Sequence, residues 1–102
     1  MSQVKWSGYD FWIYNPESTT WNDVAGIYIF AGTNNRNQWV ALYIGQAKSF
    51  KDRLANHENW LAAARLGATH VHGLVVPLAA NRDMIEAELI DLYQPVLNVQ
   101  LK

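Results

Sequence analysis

Two tyrosines in short glycine-containing motifs are the first residues whose types and spacing could do chemistry. Gly26-Ile27-Tyr28 and Tyr43-Ile44-Gly45 each lie in a run of β-branched and aromatic residues that predicts a strand, and the turn formers of residues 32–38 separate the two runs. Because side chains alternate across a strand, pairing of these strands would place Tyr28 and Tyr43 on one face as neighbours. The alternative is that both tyrosines only pack there, as aromatics often do in sheets.

An arginine and a histidine follow, one helical turn apart. Ser49, with Asp52 three residues later, fits a helix start, and Arg53 and His57 would then lie together on that helix. They would border an apolar face made by three residues, Phe50, Leu54 and Leu61. An arginine that guards a cleft has a reason to lie at such an edge, although an incidental pair remains open.

The last predicted helix starts near Asn81, whose side chain can cap it, and runs to about Tyr93. Pro95 ends it, and residues 95–98 are expected to return to the sheet. The buried stripe of this helix is predicted to comprise Ile85, Leu89 and Leu92, widened by Ile90 and Tyr93.

Glu86 is the acid on this helix that needs an explanation. Asp83 is expected in the first turn, where it favours the helix dipole, and Glu88 and Asp91 on the solvent face. Glu86 instead falls inside the apolar arc. Because a carboxylate buried without a partner is costly, Glu86 should meet a cation, either Arg53 in a salt bridge or a divalent metal.

A third predicted strand, residues 69–76, carries His70 and His72 on one face. Such a pair could begin a metal site, but a third ligand is needed and none is obvious nearby. The favoured interpretation is that both are polar strand residues or substrate contacts.

The amino-terminal segment is unusually aromatic. A strand is predicted over Tyr9–Tyr14, broken by residues 15–18. The segment could pack on the core or on a partner, which is favoured, or could form a stacking surface for bases. Six of the thirteen aromatic residues lie here: Trp6, Tyr9, Phe11, Trp12, Tyr14 and Trp21.

Composition limits the classes of function. The 102 residues suit one domain, with residues 1–22 as an aromatic lead-in and 23–98 as the core. The absence of cysteine excludes disulfides, thiolate catalysis and cysteine-ligated zinc. No apolar run could span a membrane and no signal peptide is present, so a cytoplasmic location is expected. The net charge of −1 is unusual for a nucleic-acid binder, but residues 36–65 carry five basic and two acidic residues, a local balance of +3.

With these residues in place, the sequence resembles the GIY-YIG nuclease family from about Val24 to Asn98. The match comprises the two tyrosine motifs, Arg53 ten residues beyond Tyr43, His57 one turn later, Glu86 nine residues before Pro95, and Asn98 in a Pro-x-x-Asn ending. The short chain resembles the small stand-alone bacterial or phage members.

The resemblance implies an α+β fold with a three-stranded antiparallel sheet flanked by helices, with room for an extra amino-terminal strand. It implies a DNA endonuclease in which Tyr28 is the general base or orients the attacking water, assisted by Tyr43 and His57. Arg53 would bind the scissile phosphate, and Glu86 would bind one divalent ion, Mg²⁺ or Mn²⁺. Asn98 would hold the site together through hydrogen bonds.

The resemblance also implies substrate contacts at Gly45, Gln46, Lys48 and Lys51. Gln46 stands where many relatives have a lysine, so one phosphate contact is expected to be missing unless Lys48 compensates. Specificity is expected to come from a homodimer or a separate protein partner, and RNA is not excluded as a substrate. The competing hypothesis is an inactive binding module that docks on a partner through its aromatic amino terminus.

Overall fold

The chain opens with a hairpin of two aromatic strands. In the computed structural model, which describes residues 2–100, these are β1 (Gln3–Trp6) and β2 (Tyr9–Tyr14). Ser7 and Gly8 form the turn, and both have positive φ, as expected for a two-residue hairpin turn that matches the twist of its strands. The predicted strand over Tyr9–Tyr14 is confirmed, and its partner β1 was not predicted.

The two tyrosine motifs lie on neighbouring strands, β3 (Gly26–Thr33) and β4 (Trp39–Ala47). A further strand, β5 (His70–Val75), pairs with β3 on its other side. Across residues 2–100 the strands form one antiparallel five-stranded sheet in the order β1-β2-β5-β3-β4. The three strands that the resemblance implied are therefore present, and the amino-terminal hairpin extends the sheet from β5.

The alternation of β3 divides the core between the two sheet faces. Ile27 and Ile29 point to the face covered by the long helix α3 (Ala79–Tyr93), where they pack with Ile85 and Leu89. Tyr28 and Phe30 point to the opposite face, as the alternation predicts. That face is covered by α1 (Phe50–Leu54), α2 (Trp60–Arg65) and α4 (Val96–Gln100).

The helix after β4 is shorter than predicted. Ser49 caps α1, because its side chain accepts a hydrogen bond from the Asp52 backbone N–H, as the sequence indicates. The helix ends at Leu54, and a turn separates it from α2. The expectation that Leu61 shares an apolar face with Phe50 and Leu54 is therefore wrong, and Leu61 is exposed.

The predictions for α3 need three corrections. The helix begins at Ala79 rather than near Asn81, with Leu78 in the extended N-cap conformation, so Asp83 is not in the first turn. Leu92 is exposed instead of buried. The buried stripe includes Arg82, whose guanidinium donates hydrogen bonds to the carbonyls of Val76 and Pro77.

Two further features concern the chain ends. After Pro95 the chain enters α4 instead of returning to the sheet as a strand. In the amino-terminal hairpin Trp6 and Phe11 are buried in the core on the α3 face, whereas Trp12 is partly exposed. Among the described residues, no helix is long and apolar enough to cross a membrane.

Candidate active site

Three predicted site residues form one aromatic cluster. Tyr28 on β3 lies beside Tyr43 on β4, with ring centroids 6.3 Å apart, which confirms the predicted proximity. The His57 ring lies 5.4 Å from Tyr28 and 5.5 Å from Tyr43. His57 is not on a helix with Arg53, since it lies in the turn that follows α1, yet the turn returns it to the sheet face.

A short hydrogen bond joins the Tyr28 Oη and His57 Nε2 atoms at 2.7 Å. The direction of this bond follows from the other ring nitrogen, because His57 Nδ1 accepts the Asn59 backbone N–H at 3.0 Å. Burial, reinforced by the nearby Arg53 charge, lowers the pKa of His57 to about 4, so the ring is neutral at pH 7. A neutral ring that accepts at Nδ1 carries its proton on Nε2. His57 therefore donates to Tyr28, and the Tyr28 hydroxyl hydrogen is left for another acceptor.

The Tyr28 hydroxyl is a weak acid in this environment. Burial raises the pKa of Tyr28 well above its usual value, the nearby Tyr43 raises it further, and the Arg53 guanidinium opposes both effects. The side chain is only 1% exposed. In the free protein Tyr28 is thus a protonated hydrogen-bond donor.

Gly45 lets Tyr28 lie flat against the neighbouring strand. The two residues are direct partners in the β3–β4 ladder. A Cβ atom built at Gly45 would collide with the ring and hydroxyl of Tyr28. The glycine of the second motif is thereby explained by close packing of the first tyrosine.

Arg53 makes a bidentate ion pair with Glu58, a residue that the sequence analysis did not identify. The Nη1–Oε2 and Nη2–Oε1 distances are 2.6 and 2.8 Å. The predicted alternative of an Arg53–Glu86 salt bridge is wrong, since Arg53 pairs with Glu58. The five-residue spacing of this pair is not a helical one, so no periodic signal announces it.

Glu86 contacts the side-chain amide of Gln46 instead of Arg53. The Gln46 Nε2 atom donates to Glu86 Oε1 at 3.0 Å and to Asp83 Oδ1 at 2.8 Å. Glu86 is half-buried and Asp83 is exposed. Asp83 was not predicted as a site residue, although its position three residues before Glu86 on α3 is a signal that could have identified it.

These carboxylates are suitable ligands for a hard divalent cation, which prefers oxygen donors. Among the described residues, no three His, Cys, Asp or Glu side chains are grouped to hold a metal. One or two carboxylates, completed by water and substrate, is the usual way in which proteins bind Mg²⁺. The donor set at Glu86 and Asp83 therefore fits such an ion.

Asn98 fixes strand β4 next to Tyr43. Its Oδ1 atom accepts the Ile44 backbone N–H and its Nδ2 atom donates to the Ile44 carbonyl, each at 2.8 Å. Because β4 is an edge strand of the sheet, these groups face no neighbouring strand among residues 2–100. The side chain acts as a short substitute for a neighbouring strand.

The remaining candidates form no side-chain hydrogen bond with this cluster within the described part of the chain. Lys48 and Lys51 are exposed, in the turn before α1 and on α1 itself. His72 is fully buried and accepts the Trp6 indole N–H through Nδ1. His70 lines a cavity of about 610 Å³ that also reaches His57.

Comparison with known proteins finds a relative that matches most of the chain. No family model matches the chain. The chain is 36% identical over 81 residues to UvrABC system protein C of Thermotoga maritima. This match covers 76% of the chain but spans only 14% of the length of that relative.

Solved structures of a domain of the same relative resemble this chain. One is the GIY-YIG N-terminal endonuclease domain of UvrC from Thermotoga maritima bound to its catalytic divalent cation, magnesium. It has a TM-score of 0.59 and 28% identity, over 74% of this chain and 83% of that one. Another, a point mutant of the domain with a tyrosine changed to phenylalanine, has a TM-score of 0.58, 29% identity and coverage of 74% and 82%, and it too is bound to its catalytic divalent cation.

Proposed function

We propose that this chain, which belongs to the GIY-YIG nuclease family, is a divalent-metal-dependent endonuclease that hydrolyses phosphodiester bonds in DNA. The observation that carries the proposal is the arrangement around the end of edge strand β4. Gly45 packs against Tyr28 on one side of the strand, and Gln46 contacts Glu86 on the other. A proton-handling pair and a carboxylate suited to a cation therefore flank adjacent residues of β4, Gly45 and Gln46.

Tyr28 is proposed to act on the attacking water. Its hydroxyl accepts from His57 Nε2 and keeps its own hydrogen free for a water or a phosphate oxygen, which suits an orienting role. The same His57 N–H would stabilise a phenolate, and the Arg53 charge opposes part of the rise that burial causes in the pKa of Tyr28. A further cation would make Tyr28 a competent general base, because a base works best when its pKa is close to the operating pH.

Arg53 is proposed to bind the scissile phosphate. Its guanidinium already holds a carboxylate in the bidentate geometry that also suits a phosphate. The positive charge would stabilise the extra negative charge that develops on the phosphate oxygens as water attacks. Tyr43, beside both Tyr28 and His57, would add a hydrogen bond to the same group.

Glu86 is proposed to hold Mg²⁺, which Mn²⁺ could replace. When bound, the ion would supply positive charge at the leaving 3′-oxygen. Asp83 accepts a hydrogen bond from the same Gln46 amide, so it is positioned to assist Glu86 in binding the ion. In the related domain, the cation is also bound in variants with a tyrosine changed to phenylalanine, in agreement with a carboxylate as the principal ligand.

The other sequence-predicted residues take supporting positions in this proposal. Asn98 would keep β4, and with it Tyr43, in register through its two bonds to Ile44. Lys48 and Lys51 are exposed cations close in sequence to Arg53 and would contact the DNA backbone. Gln46 contacts carboxylates rather than offering a cation to phosphate. A homodimer or a protein partner is proposed to supply specificity.

A cleavage assay tests the proposal. Plasmid, single-stranded and branched DNA would be incubated with the protein in Mg²⁺, in Mn²⁺ and in EDTA, beside Arg53→Ala and Glu86→Ala. We expect cutting in either metal, none in EDTA, and none by the two variants. A parallel RNA substrate tests the choice of DNA.

Two results would contradict the proposal. Normal cutting by both variants would show that the site is wrongly assigned. Failure of the native protein to cut any substrate would favour the binding-module hypothesis, although Trp6 and Phe11 are buried and cannot form its docking surface.

A further inference from the structure

The Arg53–Glu58 pair joins a proposed phosphate ligand to an internal anion. Both guanidinium Nη atoms are engaged, one with each carboxylate oxygen. The side chains are partly solvent-exposed, 37% for Arg53 and 63% for Glu58. The guanidinium lowers the pKa of Glu58 to about 2, so the carboxylate is charged at every pH at which the protein would work.

A contribution to folding does not account well for this pair. Exposed ion pairs contribute little to stability, because water and salt screen them and because two long side chains must be ordered. The pair spans the end of α1, where the chain turns away from the helix axis. Its geometry instead reproduces the planar, two-oxygen recognition that arginine offers to carboxylate and phosphate alike.

We propose that Glu58 occupies, in the free protein, the place on the Arg53 guanidinium that a DNA phosphate takes, so that the incoming phosphate must displace it. Glu58 is then a residue that sets affinity by competing with the substrate. This inference rests on the proposed function, since the phosphate contact of Arg53 belongs to it. It goes beyond that function because it assigns to Glu58, which is not one of the proposed site residues, the role of weakening DNA binding.

The inference has a consequence for salt dependence. A cation that binds a phosphate normally adds about 0.9 to the slope of log K against log salt on duplex DNA, through counterion release. An arginine that is already paired with a carboxylate adds less to this slope, because binding exchanges the internal ion pair for the contact with phosphate. Removing the Glu58 charge should therefore make binding both tighter and more sensitive to salt.

Asp52 provides a matched control for the Glu58 substitution. It is an exposed acid adjacent to Arg53 on α1, and its carboxylate makes no ion pair within residues 2–99. Asp52→Asn removes the same charge as Glu58→Gln from the same region without touching the guanidinium. Glu58→Ala is a second variant, which also removes the remaining amide oxygen that could accept from Arg53.

The experiment measures duplex binding by fluorescence anisotropy in EDTA, from 50 to 200 mM salt, after circular dichroism has verified folding. We expect Glu58→Gln to bind about fivefold more tightly than the native protein at 50 mM salt, with a steeper salt slope, by at most about 0.9. Asp52→Asn should gain less than about twofold, as expected for a screened surface charge. In an Arg53→Ala background, Glu58→Gln should gain no more than Asp52→Asn does.

Three outcomes would overturn the inference: Glu58→Gln and Glu58→Ala bind no better than Asp52→Asn, they bind more weakly than the native protein, or their gain persists without Arg53. Cleavage of DNA by the native protein separates these failures from failure of the proposed function. If the native protein cuts DNA and the Glu58 variants gain nothing, only the competing role is wrong. If it neither binds nor cuts DNA, both proposals are wrong.

Discussion

Lowering the pH from 7 to 5 should destabilise this protein, because two buried histidines are kept neutral in the fold. His57 is 7% exposed and His72 is fully buried. Burial lowers the pKa of each from its usual 6.5 to about 4, with help from the Arg53 charge at His57 and from His70 at His72.

The sign follows from proton binding. Between pH 6.5 and pH 4 the unfolded chain binds protons at these positions and the folded chain does not, so acid favours unfolding. Between pH 7 and pH 5 each histidine lowers the free energy of unfolding by about 2 kcal/mol, and the two together lower it by about 4 kcal/mol. This loss is large, because the total free energy of unfolding of a typical domain is about 5–15 kcal/mol. Glu58 does not contribute to the change between pH 7 and pH 5. Its pKa is lowered to about 2, and its stabilising contribution is lost only as the pH falls below about 4.5.

Urea unfolding followed by circular dichroism at pH 8, 7, 6 and 5 measures the effect. His57→Gln keeps an amide N–H for Tyr28, and His72→Asn keeps an acceptor for Trp6, so each variant removes one titrating ring while leaving a polar partner. Each should lose about 2 kcal/mol less than the native protein between pH 7 and pH 5. A native stability that is flat over this range, or a variant with the native pH dependence, would refute the reasoning.

Three further substitutions test the geometry of the site. Asn98→Ala removes both side-chain bonds to Ile44 and should cost about 2 kcal/mol, with faster exchange of the Ile44 amide by NMR, whereas Val99→Ala on the same helix should cost less than about 0.5 kcal/mol. Native-like exchange in Asn98→Ala would contradict this. Gly45→Ala should cost about 1–3 kcal/mol in thermal unfolding through its clash with Tyr28, and an unchanged melting temperature would show that the ring moves aside freely. Tyr28→Phe should retain the fold but lower the cleavage rate by about 10²–10⁴-fold, and a native rate would exclude the hydroxyl from the chemistry.

The part of the site that lies on strands β3 and β4 was predictable from the sequence. Strand alternation and a single loop are enough to bring Tyr28 and Tyr43 together, and the observed centroid distance confirms this. The cap at Ser49 was predictable for a similar reason, since capping depends on a local bond between residues three apart.

The helix boundaries were less predictable because competing local effects decide them. Asn81 is a suitable N-cap residue, yet the helix begins at Ala79. Alanine has the highest helix propensity, and Pro77 prevents the helix from extending further toward the amino terminus. Arg82 is buried in place of Leu92. Its guanidinium donates to two loop carbonyls that lie five and six residues earlier in the sequence, and hydrophobic periodicity cannot reveal such a polar contact.

The polar partners of the site could not be predicted at all. Glu58 reaches Arg53 only because α1 ends and the chain turns, and Gln46 reaches Glu86 across forty positions of sequence. The unfavourable place of Glu86 did predict that a partner exists. The identity of that partner depended on how α3 lies against the end of β4.

The central claim is that Glu86 holds the divalent cation used in cleavage. The most direct measurement compares Glu86→Gln with Asp91→Asn, which removes the same charge from an exposed position on the same helix. Mn²⁺ binding by electron paramagnetic resonance and plasmid cutting would be measured on the same samples. We expect Glu86→Gln to lose both and Asp91→Asn to keep both. Native Mn²⁺ binding and cutting by Glu86→Gln would contradict the account.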